Sequence, residues 1–374
     1  MSAATIQPGL VQPSRSADFY AASQWRLMWW RFRKHKAAMA SLVLVGVLYA
    51  LAAACELVAP HGPQTRFTHY VYAPPQRVHL LGEGTWRPHV YALRSARHPQ
   101  TLKLHYEEDR SRAYPLRFFV RGEPYRLWGL IESDLHLFGV DDGGTLFLLG
   151  TDSMGRDLFS RLCYGARISL TVGLLGVALS FILGVTIGCI SGFFGGWIDN
   201  IIQRCIEVLR SFPTIPLWMA LSAALPAAWS PLAVYFGITV VLSLIGWTGL
   251  AREVRGKILS LREEDFALAA VLAGASRRRV MFRHLVPATM SHIIVAASLA
   301  IPAMILGETA LSFLGLGLRP PVTSWGVLLK EAQNVQAVAL HPWLLAPVLM
   351  VILTVLAFNF VGDGLRDAAD PYSK

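Results

Sequence analysis

The sequence predicts an all-α polytopic membrane protein with six transmembrane helices and an extracytoplasmic insertion of α+β or β-rich character. Hydrophobic residues make up 54% of the 374 residues, against about 45–50% in ordinary soluble domains. This excess is concentrated in runs long enough to cross a bilayer. We therefore divide the chain into a cytosolic tail with an interfacial helix (1–36), a first span (37–59), a polar insertion (60–150) and a core (151–374).

Composition excludes several classes of function. The net charge of +10 favours cytosolic loops and lipid headgroups as the setting of the basic residues, and no basic patch interleaved with aromatic residues indicates nucleic-acid binding. The cysteines have no paired spacing, which argues against a disulfide framework and a zinc site. No cofactor is predicted. The cysteines lie in or beside apolar runs, at Cys55, Cys163, Cys189 and Cys205.

The N-terminal part predicts the orientation. Residues 1–24 mix Ser, Pro, Gln and Ala and are expected to be disordered. Trp25, Trp29 and Trp30 suit the membrane interface, and basic residues directly before the first apolar run put this end in the cytosol. Because that run starts near Ala37 and is long enough to stay in the bilayer, no cleavable signal peptide is expected.

The insertion follows the first span, so topology places it outside the cytosol. Stretches 101–106 and 116–120 have the alternating pattern of strands. The histidines of the insertion include no pair at i,i+2 or i,i+4, and no cysteine or acidic cluster joins them, which favours surface histidines over metal ligands. They are His61, His69, His79, His89, His98, His105 and His136.

The core begins with the stretch 149–167, which predicts an amphipathic helix at the membrane surface because Phe159, Leu162 and Cys163 share one face. Five further spans follow, and the third of the six is expected to bend at Pro213 and Pro216. Six spans return the C-terminal tail to the cytosol. The five spans cover about 168–190, from 201 through the stretch SFPTIPLWMALSAAL, 231–251, 291–307 and 343–361.

The stretch 260–287 is charged although apolar runs surround it. Ser260 and Glu263 have the spacing of a capping box, which predicts a helix starting there. Gly274 fits the left-handed residue that ends such a helix. Ser276 can cap a second short, arginine-rich helix, which we expect to end at a boundary marked by Pro287. Such a compact cytosolic hairpin predicts a docking site for a partner; the alternative is an ordinary amphipathic hairpin on the membrane surface.

This hairpin resembles the coupling loop of permease subunits of ABC importers, with the pattern Glu-Ala-Ala, three residues, Gly, nine residues, Ile-x-Leu-Pro. Ala269, Ala270, Gly274 and Pro287 are in register. The pattern's Glu, Ile and Leu positions hold Leu268, His284 and Val286, as in the dipeptide/oligopeptide/nickel branch. Three further stretches look like permeases of that branch: GTDxxGRDxxSRxxYGAR, ETALSFLGLG and GDGLRDAADP.

The resemblance implies the C-type permease subunit of a dipeptide/oligopeptide importer in the bacterial cytoplasmic (inner) membrane. It implies a five-helix type I permease core plus the N-terminal helix, a homologous second permease, two cytosolic ABC ATPases and an extracytoplasmic substrate-binding protein. Peptides are the favoured substrates, and nickel, opines and oligosaccharides are the alternatives. The residues expected to couple to the ATPase are Glu263, Asp265, Phe266, Ala269, Ala270, Ala273, Gly274, Ala275, Arg277 and Arg278.

No catalytic role is predicted, since Gly256-Lys257 lacks the remaining residues of a phosphate-binding loop and no nucleophile signature is present. Glu308 is expected either to line the translocation pathway or to cap the following turn through backbone N–H groups. Met219 and Ser222 are pathway candidates, with plain helix packing as the alternative. Two rivals remain: an ion-coupled secondary transporter, against which no internal repeat is seen, and a receptor-like protein that binds through the insertion.

Overall fold

The computed structural model of the chain describes residues 24–82, 85–97, 104–141, 143–226 and 228–369. Within these residues, five helices are long and apolar enough to cross a membrane: Lys36–Ala53, Leu158–Phe194, Pro231–Leu261, Arg277–Phe313 and Pro342–Ala369. In chain order the elements are α1 (Gln24–Phe32), α2 (Lys36–Ala53), α3 (Cys55–Val58), β1 (His79–Gly82), β2 (Thr85–Arg97), β3 (Leu104–Leu127), β4 (Ile131–Val140), α4 (Leu158–Phe194), α5 (Gly196–Ser211), α6 (Thr214–Ala223), α7 (Pro231–Leu261), α8 (Asp265–Leu272), α9 (Arg277–Arg279), a π-helical segment (Val280–Leu285), α10 (Val286–Phe313), α11 (Trp325–Glu331), α12 (Val335–Leu340), a 3-10 turn (Pro342–Leu345) and α13 (Ala346–Ala369).

The centre of the bundle is the pair α4 and α7, which run side by side in the same direction. Towards their starts, the Tyr235 hydroxyl donates to Thr171 Oγ1 at 3.0 Å. Beyond the end of α7, Arg262 Nη1 donates to the Gly192 carbonyl near the end of α4 at 3.1 Å. Between these points a Cβ at residue 188 would collide with the Ala251 carbonyl, so only glycine fits. Small residues allow this close approach of helices in membranes.

The other long helices pack around this pair. One apolar cluster joins α2, α4, α10 and α13 through buried residues that include Leu48, Leu170, Ile305 and Phe358. Trp325 of α11 is fully buried in the same cluster, and its Nε1 donates to the Leu162 carbonyl at 3.2 Å. The short helix α11 is thereby fixed against the start of α4.

The predicted third span is two helices rather than one. The chain leaves the helix at Phe212 and Pro213, between α5 of 16 residues and α6 of 10 residues, and each alone is shorter than the roughly 20 residues of a span. The bend that we predicted is therefore a break at Pro213, while Pro216 lies in the first turn of α6. The exposed Arg204–Glu207 pair, at 2.8 Å, makes α5 amphipathic.

The predicted surface helix at 149–167 is wrong in its start and its extent. Residues before Leu158 form a loop in which Gly150 and Gly155 have positive φ. The helix begins only after Asp157, whose side chain accepts the Ser160 N–H at 2.8 Å, and continues as α4 without interruption. The polar side chains that suggested a water-facing helix surface are instead buried, as described below.

The polar insertion contains a four-stranded antiparallel sheet in the order β1-β2-β3-β4, so each strand pairs with its neighbour in sequence. The strand predicted at 116–120 is confirmed within β3. Of the stretch 101–106, the first three residues lie outside the described part and the rest begin β3. His136 Nδ1 of β4 lies 2.6 Å from the Ala59 carbonyl oxygen, which ties the sheet to the end of the first helical segment.

The histidines of the insertion contact different neighbours. His79 stacks on His89 with ring centroids 5.5 Å apart, and His61 packs against Phe67. His98 lies outside the described residues. Across the described ranges, no group of three or more His, Cys, Asp or Glu side chains is placed to hold a metal ion.

Glu123 fixes the sheet to the segment that leads into it. Its Oε2 accepts the Thr65 hydroxyl at 2.6 Å and the Gly62 N–H at 3.0 Å, and its Oε1 lies 3.7 Å from His61 Nδ1. The His61 ring, followed by these two donors, lowers the pKa of Glu123 from 4.5 to about 2. A carboxyl whose folded pKa is depressed stabilises the fold fully above its unfolded pKa and progressively less as the pH falls.

We therefore expect the insertion to lose stability between pH 4.5 and pH 2, in the window set by Glu123. Glu123→Gln should remove this acid-dependent part, about 1 kcal/mol because the carboxylate is partly exposed. Thermal melting of the purified protein at a series of pH values measures it. Glu107→Gln is the control, since the Glu107–His105 pair is 3.9 Å apart and both side chains are exposed. Equal acid sensitivity of both variants would contradict the assignment.

Candidate functional site

The hairpin predicted at 260–287 is present, but its first helix starts later than expected. Ser260 belongs to the last turn of α7, which runs unbroken to Leu261, so the predicted capping box is wrong. The next helix, α8, begins at Asp265 after Glu264 in extended conformation, without a side-chain cap. The helix α7 extends well past the end of its apolar run because the buried residues Val254 and Ile258 continue its packing face. The first helix of the hairpin therefore starts later than predicted.

The turn of the hairpin is as predicted. Gly274 has φ +82°, the left-handed conformation that favours glycine, and the Ala275 N–H closes the turn onto the Ala270 carbonyl at 3.0 Å. Ser276 Oγ accepts the Arg279 N–H at 3.4 Å and caps the second helix, also as predicted.

The second helix does not end near Pro287, so that predicted boundary is wrong. The helix continues from Arg277 to Phe313 as one element through the π-helical segment Val280–Leu285. The wider π turn directly precedes Pro287, which has no N–H to donate, and lets the helix continue past it. The hairpin is therefore joined rigidly to the span that follows.

The two faces of α8 differ from the predicted arrangement. Ala267 is buried and Ala270 half-buried against a cluster that includes Val280 and Leu285, so this side holds the hairpin together. The predicted residues Phe266, Ala269 and Ala273 are exposed. Three apolar side chains that the predicted face omitted are exposed as well: Leu268 at 49%, Val271 at 52% and Leu272 at 88%.

The exposed surface of α8 is therefore more apolar than the exposed side of an amphipathic helix would be. A helix that is hydrophobic all round is normally covered on all sides, and this was the signal in the sequence for the omitted residues. We call the exposed side chains of Phe266, Leu268, Val271 and Leu272 the hairpin patch. The four charged residues predicted to make polar contacts are all exposed as well: Glu263, Asp265, Arg277 and Arg278. Glu263 lies 3.5 Å from Arg262, and Arg277 stacks over Phe194.

Ionic contacts connect the base of the hairpin to the bundle. Arg262 donates to the carbonyls of Gly192 and Phe193, at 3.1 and 3.3 Å. Arg255 makes two hydrogen bonds of 2.5 Å to Asp199 at the start of α5. These contacts connect the end of α7, the α4–α5 turn and the hairpin.

Met219 and Ser222 lie one turn apart on α6 and Glu308 lies on α10, and all three pathway candidates are within the packing of the bundle. Glu308 is fully buried and accepts three hydroxyls, from Ser169 at 3.2 Å and from Ser312 and Ser324 at 2.7 Å. Met219 is half-buried and Ser222 buried on α6, and Ser222 Oγ has no hydrogen-bond partner within the described part of the chain. A groove of about 1020 Å³ opens between α4, α7, α10 and α13, and none of these three residues lines it. Their role in a pathway stays a prediction.

A buried ionic cluster lies in the stretch that the sequence singled out as GTDxxGRDxxSR. Arg156 bonds to Asp152 at 2.7 Å and to Glu331 of α11 at 2.8 Å. Arg161 bonds to Asp152 as well and to Glu331 at 3.0 Å. Sequence reasoning missed Glu331, because the stretch itself holds two aspartates, Asp152 and Asp157, and so gives no sign that a further acid is needed. This cluster fixes the loop before α4 to α11.

Comparisons with known proteins give a consistent family. Residues 184–373 match the family described as binding-protein-dependent transport system inner membrane component. Residues 23–75 match the N-terminal TM domain of oligopeptide transport permease C. A chain of the MetNI methionine ABC transporter, inward facing, aligns with a TM-score of 0.43 and 16% identity over 56% of this chain and 97% of that one, too distant a similarity to support an argument.

Curated relatives are similar over most of their length. The oligopeptide transport system permease protein OppC of Haemophilus influenzae is 43% identical over 223 residues, 59% of this chain and 69% of that protein. The dipeptide transport system permease protein DppC of Alkalihalophilus pseudofirmus is 41% identical over 227 residues, 60% of this chain and 72% of that protein. The glutathione transport system permease protein GsiD of Pectobacterium atrosepticum is 40% identical over 226 residues, 60% and 73% of the two chains.

Proposed function

The chain belongs to the family of binding-protein-dependent transport system inner membrane components, and from that premise we propose that it is a C-type permease subunit of an ATP-driven importer of peptides. The single observation that carries the coupling role is the hairpin patch, an exposed apolar surface on a helix that is joined rigidly to two spans. The substrate class rests on relatives that are permeases of oligopeptide, dipeptide and glutathione transport systems. These relatives do not favour an ion-coupled secondary transporter.

The hairpin patch has the chemistry of a docking surface for a cytosolic ATPase. Its apolar side chains would be buried in a groove of the partner, and the small residues Ala269 and Ala273 allow a close backbone approach. The flanking charges, Asp265 and Arg278 among them, would make polar contacts at the edge of the contact area. An apolar patch of this kind marks a protein interaction site.

Movement of the docked hairpin would reach the bundle through three connections. The second helix of the hairpin continues into α10, Arg262 holds the end of α4, and the Asp199–Arg255 pair holds the start of α5. A displacement of the hairpin therefore shifts α4, α7 and α10 together, as rigid helices. Such a rigid-body movement can open or close a pathway shared with a second, homologous permease.

The parallel course of α4 and α7 supports six crossings in place of five. Because the two helices end on the same side, the chain between residues 195 and 230 must return across the membrane. The segment there is α5 followed by α6, so we assign this crossing to the broken pair. With the N-terminus in the cytosol, we infer from six crossings that the insertion 60–150 lies outside and that both the hairpin and the C-terminus lie in the cytosol.

The chain would thus form half of the pathway and rely on partners for energy and substrate. Two ABC ATPases would hydrolyse ATP, an extracytoplasmic binding protein would deliver the substrate, and the second permease would complete a heterodimer in the inner membrane. Peptides are the proposed substrates, with nickel, opines and oligosaccharides as the alternatives.

A pull-down of the chain from its native membrane in mild detergent tests this assignment. Mass spectrometry should identify a second permease and two ATPases that carry phosphate-binding loops. ATP-dependent uptake of a labelled peptide into vesicles containing the complex should follow. A chain that purifies alone, with uptake that persists after ATP depletion, would favour an ion-coupled transporter instead.

The hairpin turn offers a further test. Proline fixes φ near about −65°, whereas Gly274 has φ +82°, so Gly274→Pro should break the turn and abolish uptake while the spans still insert. Gly274→Ala is the matched control, because no atom lies within 4 Å of the added Cβ and the strain is only about 1–2 kcal/mol. Uptake and the amount of protein in the membrane are measured for both. Normal uptake by the proline variant would count against the coupling role.

A further inference from the structure

The turn between β3 and β4 touches the end of the first membrane helix. The indole Nε1 of Trp128 donates to the carbonyl of Ala53, the last residue of α2, at 2.8 Å. The backbone N–H of Trp128 donates to Glu56 Oε1 at 3.3 Å. These two contacts hold Trp128 at φ +56°, a strained conformation for a residue other than glycine. The tip of the β3–β4 hairpin is therefore fixed to the C-terminal end of α2.

An ion pair marks the depth of this contact relative to the bilayer. Arg167 forms two hydrogen bonds of 2.5 Å to the Glu56 carboxylate, and its guanidinium lies 5.8 Å from the centre of the Trp128 ring. Charged groups are unfavourable in the hydrocarbon region. The Glu56–Arg167 pair thus lies where the hydrocarbon ends, and Trp128 lies at the same level, which is the depth at which tryptophan is enriched in membrane proteins.

The tip of the β3–β4 hairpin lies on the lipid-facing side of α2. The exposed residues of this helix include Val43 at 61%, Val47 at 49%, and Ala50 and Ala53, which recur at helical spacing on one face. That apolar face is exposed at Val43, Val47 and Ala50, and it is the face that we expect the bilayer to cover. Trp128 binds at the C-terminal end of this face, through Ala53, so the tip of the β3–β4 hairpin continues the lipid-facing surface.

The tip itself is apolar and exposed. Trp128 is 64% exposed, Leu130 84% and Ile131 63%. Turns at the ends of hairpins are usually rich in Gly, Asn, Asp, Ser and Pro, whereas this one reads Leu-Trp-Gly-Leu-Ile. The exposed Arg126–Glu132 ion pair, at 2.6 Å, separates this apolar tip from the rest of the two strands.

We propose that the β3–β4 tip, residues 128–131, is embedded in the headgroup region of the lipid bilayer and anchors the sheet to the membrane. Trp128 lies among the headgroups with its N–H bound to Ala53, while Leu130 and Ile131 reach the boundary of the acyl chains. The Arg126–Glu132 pair stays on the aqueous side. The tip is then held by lipid in addition to its protein contacts with Ala53 and Glu56.

Spin labelling in a bilayer tests this anchor. Leu130→Cys is made in a Cys205→Ser background, which removes the exposed native thiol, and the label is read in the assembled transporter in vesicles of phosphatidylethanolamine and phosphatidylglycerol. The label at 130 should collide more often with oxygen, which concentrates in lipid, than with a water-soluble nickel chelate. Its depth should be about 5–10 Å below the phosphates.

Arg112→Cys is the matched control, on an exposed position of the same strand, at most about 50 Å from the tip along the strand at 3.3 Å per residue. Its label should show the opposite preference, for the nickel chelate. Ile131→Cys repeats the measurement at a second position, should the first variant fold poorly. Labels at 130 and 131 that are as open to the chelate as position 112 would overturn the proposal. Labels shielded from both reagents would also overturn it, because a protein partner would then cover the tip.

Discussion

Leu272→Asp is expected to abolish ATP-driven uptake while the chain still folds and inserts. Leu272 is the most exposed side chain of the hairpin patch, at 88%, so the substitution leaves the internal packing of the hairpin unchanged. An unpaired carboxylate at the centre of an apolar contact is strongly unfavourable. A loss of about 2 kcal/mol, as at an interface hot spot, lowers binding of the ATPase about 30-fold. Peptide uptake into vesicles and the amount of ATPase that co-purifies are the two measurements.

Val335→Asp is the matched control for this experiment. Val335 is 79% exposed at the start of α12, between α10 and α13, and the six proposed crossings put this segment on the extracytoplasmic side, opposite the hairpin. The same change of an exposed apolar side chain to aspartate should leave both readouts near those of the unmodified protein. If Leu272→Asp retains normal uptake and normal ATPase binding, the hairpin patch is not a docking surface.

Asp152→Asn is expected to destabilise the chain strongly. Asp152 and Arg161 are each 1% exposed and Arg156 is 4% exposed, and both arginines depend on this carboxylate together with Glu331. Removing one member of a buried ionic cluster leaves charge uncompensated and costs about 3–5 kcal/mol. The melting temperature of the detergent-purified protein should fall clearly, and its yield in the membrane should drop.

Glu132→Gln provides the comparison for that prediction. The Arg126–Glu132 pair has the same chemistry, but its side chains are 68% and 73% exposed, and exposed pairs contribute about 0–1 kcal/mol. The melting temperature should therefore change little. If the Asp152 variant melts no lower than the Glu132 variant, the cluster does not stabilise the joint between α4 and α11.

Long apolar runs made most of the architecture predictable. The second, fourth, fifth and sixth predicted spans all lie within long helices of the structure, because roughly 20 consecutive apolar residues have few alternatives to a span. The first, predicted at 37–59, is α2, which ends at Ala53, followed by the short helix α3. The ends were less predictable. The fourth and fifth spans extend beyond their apolar runs into the hairpin, where packing on Val280 and Ile258, rather than local sequence, continues the helix.

The local sequence signals at the helical hairpin were reliable at positions where the backbone conformation alone determines the structure. Gly274 and Ser276 take the conformations that their residue types favour. The capping box at Ser260 failed because tertiary contacts of α7 outweigh a cap, which contributes only about 1 kcal/mol. The exposed faces of α8 could not be read from spacing alone, since almost every position is apolar and the neighbouring helices decide which side is covered.

Long-range contacts were the least predictable part of the candidate sites. Glu331 lies 175 residues from its partner Arg156, and no local pattern joins them. The same holds for Glu308, whose serine partners come from α4, from α10 itself and from the residue before α11. The contact of Trp128 with Ala53 likewise joins two segments that are separate in sequence.

Photo-crosslinking from the hairpin patch tests the central claim most directly. A photoreactive amino acid is placed at Leu272, and another at Val335 as the control, in the transporter assembled in its native membrane. We predict that irradiation joins position 272 to an ATPase subunit with a phosphate-binding loop, and that position 335 gives no such product. Labelling of lipid alone from position 272 would contradict the account, because the hairpin would then lie on the membrane surface.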